Sequence, residues 1–193
     1  MGRALTPSQT VGPFFHRALV REGGNDLAAR GAKGERVVIE GRVLDGEGAP
    51  VSDAMLEIWQ ANADGRYDHP EDRQEKLRDP NFHGFGRTAT DTEGRFRFTT
   101  IKPGALPGRG GALQAPHINV IVFARGLLRH LVTRIYFPDE PLNASDPVLN
   151  AVPAGRRATL VARRAAAGGG SAPQVLNFDI VLQGADETVF LDV

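Results

Sequence analysis

The strongest constraint on what this chain can fold into is the spacing of its apolar residues. Arg95-Phe96-Arg97-Phe98-Thr99 alternates strictly, and Val37, Ile39, Gly41 and Val43 alternate with Arg36, Val38, Glu40 and Arg42. Side chains leave a strand on opposite faces in turn, so a period of two marks a ribbon with one buried and one wet face. Further strand candidates are Ala54–Trp59, Gly86–Asp91, Ile118–Ala124, Leu131–Phe137, Ala158–Ala162 and Val175–Leu182. Asp45-Gly46-Glu47-Gly48 supplies a hairpin-type turn and Thr92-Glu93-Gly94 another. Little in the chain carries a 3.6-residue period. The pattern predicts an all-β sandwich of immunoglobulin or prealbumin type.

One domain spanning 1–193 is the expectation, with an irregular arm and loop over 1–35 and the sandwich over 36–193. Residues 23–35 read as an exposed loop, and 165–173 (AAAGGGSAP) as the tip of a hairpin. With 23 basic and 23 acidic residues the net charge is +0, which argues against a nucleic-acid partner. The absence of cysteine excludes disulfides, thiolate nucleophiles and cysteine-ligated zinc. Val120–Ala124 is the longest clean apolar run, far short of the roughly 20 residues that cross a bilayer. The opening MGRALTPSQT lacks the apolar centre of a secretory signal, so a cytoplasmic location is expected.

Three stretches read together are distinctive: Leu56–Tyr67 (LEIWQANADGRY), Asp79–Gly104 (DPNFHGFGRTATDTEGRFRFTTIKPG) and Ala115–Asn119 (APHIN). Their combination resembles the intradiol ring-cleaving dioxygenases, which open catechols between the two hydroxyl-bearing carbons. Thr6–His16 (TPSQTVGPFFH) and Gly184–Val193 (GADETVFLDV) narrow the resemblance to the protocatechuate-cleaving branch of that family. The family implies a ferric ion held by two tyrosinates and two histidines, hard anionic phenolates and imidazoles that suit Fe(III).

Here that set is half erased. Tyr67 and His117 stand at two of the implied ligand positions, while Leu106 and Asn119 stand at the other two. Leucine has no donor atom, and an amide oxygen replaces imidazole poorly. The resemblance therefore implies a chain without iron of its own, paired with a homologous partner chain that carries Fe(III), in a higher-order αβ oligomer. A complete dioxygenase for another catechol would need all four ligands here. A non-catalytic transthyretin-like binding sandwich would account for Gly41–Gly104 but not for TPSQTVGPFF, APHIN or GADETVFLD.

The substrate carries a ring carboxylate, and an arginine fork matches a carboxylate. Arg134, in Thr133-Arg134-Ile135-Tyr136-Phe137, is the expected contact, against the alternative of a structural pair with Asp139 or Glu140. The resemblance also implies that Thr10, Gly12 and Pro13 line the substrate pocket. His16, His69, His83 and His130 lack metal-like spacing, and Asn62, Asp64 and Asp68 lack a full calcium-loop pattern, so a solvated loop is expected there. Arg156, Arg157, Arg163 and Arg164 read as sheet-edge residues, and Trp59, Phe96, Phe98 and Phe178 as core.

Overall fold

The computed structural model describes residues 5–12, 14–166 and 172–192, so Pro13 and the middle of the 165–173 tip lie outside the described residues. The alternating segments form strands β1 (Arg36–Leu44), β2 (Met55–Trp59), β3 (Phe85–Ala89) and β4 (Arg95–Ile101). A short hairpin, β5 (Leu106–Pro107) and β6 (Leu113–Gln114), precedes β7 (His117–Phe123) and β8 (Leu131–Tyr136). β9 (Arg163–Arg164), β10 (Gln174–Asn177) and β11 (Ile180–Val181) follow, with short helices α1 (Phe15–Leu19) and α2 (Pro147–Ala151).

The strands build a two-sheet sandwich. In one sheet β1 pairs antiparallel with β4 and parallel with β10 and then β11, and β9 closes on β10. The other runs β3-β2-β7-β8, antiparallel throughout. Inward residues from both sheets, among them Ile39, Phe98, Leu56, Ile58, Ile118, Val120 and Ile135, form the main core. Cross-strand neighbours such as Ile39 opposite Phe98 and Ile58 opposite Val120 show the expected one-face-in register. No helix among the described residues is long and apolar enough to cross a membrane.

Several sequence expectations need correction. Residues 23–35 form a loop exposed at most positions, but not throughout. Leu27 and Ala28 are buried in the main core, and the segment bonds to both sheets, through Leu27 N–H to Thr99 O (2.9 Å) and Arg87 N–H to Gly24 O (2.9 Å). It thereby seals the open side between edge strands β3 and β4, whose unpaired backbone groups need partners. The turn at 45–48 closes only an isolated Leu44–Pro50 bridge before the chain crosses to the other sheet. Most of the predicted strand Ala158–Ala162 belongs to a 3₁₀ segment, Ala154–Leu160, which also carries Arg156 and Arg157 off the sheet edge.

The predicted strand Val175–Leu182 is interrupted at Phe178 and Asp179. There the Asp179 carboxylate, not a strand carbonyl, accepts from Arg42 N–H (2.9 Å). The backbones come so close that a Cβ on Gly41 would lie 1.8 Å from Phe178 O.

Candidate functional site

The outer face of the β3-β2-β7-β8 sheet carries a polar row at one end. Trp59 on β2, Asn119 on β7 and Arg134 on β8 are register partners, and His117 faces Tyr136 one step further along. Because β7 and β8 place Ile118, Val120, Thr133 and Ile135 inward, their neighbours His117, Asn119, Arg134 and Tyr136 all project to this outer side.

The loop after β2 brings Tyr67 to the row. Buried Asn62 organises it, its Oδ1 accepting from Asp64 N–H and Arg66 N–H (both 3.0 Å) and its Nδ2 donating to Leu77 O (2.9 Å). The solvated loop expected at Asn62 is therefore a folded turn. Gly65 within it has φ 78° and packs so tightly that a Cβ would lie 2.1 Å from Ala105 O. Tyr67 then stacks on Trp59, centroids 5.6 Å apart and planes 13° from parallel, while its N–H donates to Asp72 Oδ2 (2.7 Å). Trp59, expected in the core, is only half-buried and walls this site.

The β5–β6 hairpin adds Leu106 and, directly opposite it, Gln114. The result is a cavity of about 470 Å³ lined by Trp59, Tyr67, Leu106, Gln114, His117 and Arg134, together with His69, Glu71, Asp72, Arg73 and Gln74 of the loop after β2. Three of the four positions implied as ligand positions, Tyr67, Leu106 and His117, meet here. The fourth, Asn119, joins them by donating from Nδ2 to Tyr67 Oη (3.0 Å) and to Trp59 O (3.2 Å).

Arg134 takes up the remaining polar atoms. Its Nε donates to Asn119 Oδ1 (3.1 Å) and its Nη1 to Gln114 Oε1 (2.7 Å), with a longer contact to Tyr136 Oη (3.4 Å). The alternative partners do not hold it, since Asp139 pairs with Arg164 (3.2 Å) and Glu140 with Lys102 (2.8 Å). Behind Arg134, buried Tyr136 donates to Asp146 Oδ1 (2.9 Å). The same carboxylate accepts from Val148 N–H (2.9 Å), Leu149 N–H (2.8 Å) and, at Oδ2, Ala115 N–H (2.8 Å).

Electrostatics follow from burial and from this cation. Burial, then the Arg134 charge, lowers the His117 pKa to about 4, so its imidazole is neutral at pH 7. Burial raises the Tyr67 phenol above its ordinary value, against the opposing pull of Asn119 and Arg134. Burial likewise raises Tyr136. The donor set does not fit Fe(III). Leu106 offers no donor, Asn119 Oδ1 is engaged by a cation, Tyr67 is held as a neutral phenol, and Arg134 adds positive charge where a cation would sit.

Thr10 and Gly12 lie elsewhere. Thr10 Oγ1 accepts from Gly126 N–H (3.1 Å), which sets the arm against the β7–β8 turn beside Arg125. At roughly 3.3 Å per strand residue, that is on the order of 20 Å from the level of Asn119 and Arg134. Within one chain the arm and Arg134 therefore do not share a cavity. Of the other histidines, His83 bonds Asp68 (2.7 Å) and Arg30 (3.0 Å), and His130 packs on Phe123. Gln114 and Asp146 were not singled out from sequence, and Tyr136, the only tyrosine besides Tyr67, matches no ligand motif. Asp146-Pro147 does carry a helix N-cap signal, but nothing local shows that its carboxylate also reaches Tyr136 and Ala115.

Residues 11–184 match a family profile described as Dioxygenase. The protocatechuate 3,4-dioxygenase alpha chain of Burkholderia cepacia is 50% identical over 97% of this chain and 97% of its own length. The beta chain of the same name and organism is 45% identical over 94% of this chain and 77% of its own. Among solved structures, the dioxygenase domain of a dioxygenase carbohydrate-binding protein fusion from Streptomyces sp. SirexAA-E is 29% identical, with TM-score 0.63, covering 93% of this chain and 99% of that one. Sequence, sandwich topology and the placement of the ligand-derived positions agree: the chain belongs to the intradiol ring-cleaving dioxygenase family.

Proposed function

We propose that this chain is the iron-free, α-type subunit of a protocatechuate 3,4-dioxygenase. Its partner is a homologous β-type chain that carries Fe(III) and cleaves protocatechuate with O2 to 3-carboxy-cis,cis-muconate. The observation that carries the reading is the site itself, where Leu106 and Asn119 stand at two of the implied ligand positions and Arg134 bonds Asn119, within an intact family fold. The similarity to both the alpha and the beta chain of one named enzyme supports pairing with such a partner.

In this reading the arm is what reaches the partner. Thr10 and Gly12 present backbone and small side chains to the partner's substrate pocket, and the exposed apolar residues Leu5, Val11 and Phe14 become covered on assembly. Contact of Arg134 with a substrate carboxylate stays part of this proposal, with Nε and Nη1 held by Asn119 and Gln114.

Co-expression with a homologous chain bearing tyrosine at the position of Leu106 and histidine at that of Asn119 tests the proposal. The expected result is a stable complex with protocatechuate-dependent O2 uptake, absent from this chain alone. Failure of the two chains to associate, or equal turnover by this chain alone, would overturn it.

A further inference from the structure

The outer face of the sheet built on β1 carries positive charge that its own acids do not balance. Arg42, Arg95, Arg97, Arg163 and Arg164 line an open groove there of about 770 Å³, against two carboxylates, Glu40 and Asp179. Five cations less two anions leave the groove at +3. Glu40 pairs with Arg97, and Arg164 turns aside to Asp139 (3.2 Å). The Asp179 carboxylate accepts from Arg42 N–H (2.9 Å) and lies 3.5 Å from the Arg163 guanidinium. The guanidinium groups of Arg42 and Arg95 have no partner among the described residues, although the two residues stand directly opposite each other across β1 and β4. Like charges at opposed positions destabilise a sheet. Protection of a sheet edge does not explain the pair, because β1 is bonded on one side to β4 and on the other to β10 and β11.

The matching negative charge lies at the ends of the same two strands. The turn after β1 carries Asp45 and Glu47, the turn before β4 carries Asp91 and Glu93, and neither turn holds a basic residue. Val43 N–H to Gly94 O (2.9 Å) keeps the turns side by side. Asp45 and Asp91 each accept from two local backbone N–H groups, while Glu47 and Glu93 are exposed and make no ion pair among the described residues. At about 3.3 Å per strand residue, Glu93 lies roughly 7 Å beyond Arg95, and Asp45 roughly 10 Å beyond Arg42. Cations and acids are thus adjacent, separate and opposite in sign, which makes the surface complementary to itself. A twofold axis between them, at right angles to the strands, sets the arginines of each copy on the acidic turns of the other.

We propose that this face joins two copies of the chain in a twofold contact, with Arg42 and Arg95 of each copy against Glu47 and Glu93 of the other. The contact lies apart from the cavity and from the arm, and it does not depend on the subunit reading. In that reading it links one αβ pair to the next.

Sedimentation velocity of the purified full-length chain over a concentration series tests the proposal. The expected result is a reversible dimer in about 0.1 M salt that weakens at least tenfold in about 1 M salt, as the screening length falls from about 10 Å to about 3 Å. R42E/R95E and E47K/E93K should each weaken the dimer at least tenfold, because each variant meets its own charge across the axis. Mixed in equal amounts, the two variants should associate as tightly as the unaltered chain, since every contact then pairs opposite charges again. A chain that stays monomeric at low salt, a dimer indifferent to salt or to R42E/R95E, or a mixture no tighter than either variant alone would overturn the proposal. The salt series uses the unaltered chain, so it decides the matter even if a variant fails to fold.

Discussion

Asp146→Ala should be among the most damaging single changes in this chain, although Asp146 lies outside every family motif read from the sequence. Its carboxylate is fully buried and accepts four hydrogen bonds, from Tyr136 Oη, Ala115 N–H, Val148 N–H and Leu149 N–H. Removing it orphans two buried donors, the Tyr136 hydroxyl and Ala115 N–H, at about 1–3 kcal/mol each. Loss of the N-cap of α2 adds about 1 kcal/mol. The sum is about 3–7 kcal/mol, which at a urea slope of about 2 kcal/mol per M lowers the unfolding midpoint by about 1.5–3.5 M. Tyr136→Phe alone should cost about 1 kcal/mol, because Asp146 keeps its three backbone donors. In Y136F/D146A the hydroxyl is no longer orphaned, so the double variant should cost less than the two single changes together, by about 1 kcal/mol. Urea unfolding followed by circular dichroism measures all three. A cost below about 1 kcal/mol for D146A, or strict additivity in the double variant, would refute the network as the reason for burying this charge.

Other consequences are as accessible. The lowered pKa of His117, about 4 against an ordinary 6.5, means that the unfolded chain binds more protons between those values. Its stabilising contribution is therefore full above pH 6.5 and lost as pH falls toward 4. The loss is at most about 3 kcal/mol, and H117Q should flatten the pH profile of unfolding in that window; an unchanged profile would contradict the assignment. Gly41→Ala drives a methyl into Phe178 O and should cost about 3 kcal/mol or more, read as a urea midpoint shift, whereas a neutral effect would show that β1 and the 178–179 break are not so close. Restoring donors should work only when the cation is removed. L106Y/N119H/R134Q should bind Fe(III) with a visible tyrosinate charge-transfer band, and L106Y/N119H should bind at least tenfold more weakly because Arg134 repels the ion. Equal binding would mean that Arg134 does not guard the site.

The regular part of the fold was legible because its signal is local. Each of β1, β2, β4, β7 and β8 announces itself by alternation or an apolar run within its own residues. What was misread depends on partners distant in sequence. Leu27 and Ala28 look like isolated apolar residues in a Gly- and Asp-rich loop until Thr99 and Arg87 give them two strand edges to bond. The break at Phe178–Asp179 comes from an aspartate side chain bonding Arg42, 137 residues away, and Ala158–Ala162 is too short for its apolar pattern to separate a strand from a 3₁₀ turn. At the site, the motifs located Tyr67, Leu106, His117 and Asn119. The direction of Arg134 was not legible, because register across β7 and β8 and the β5–β6 hairpin decide that it meets Asn119 and Gln114 and not Asp139 or Glu140.

The most direct test of the account is iron per polypeptide, measured on this chain purified alone from iron-supplemented cells and on its complex with the homologous chain. The account predicts a colourless chain with less than about a tenth of an equivalent of iron, and a red-brown complex with about one equivalent per pair, from an all-or-none donor set. Stoichiometric iron in the chain alone would contradict it, because Leu106 and Asn119 would then have been bypassed.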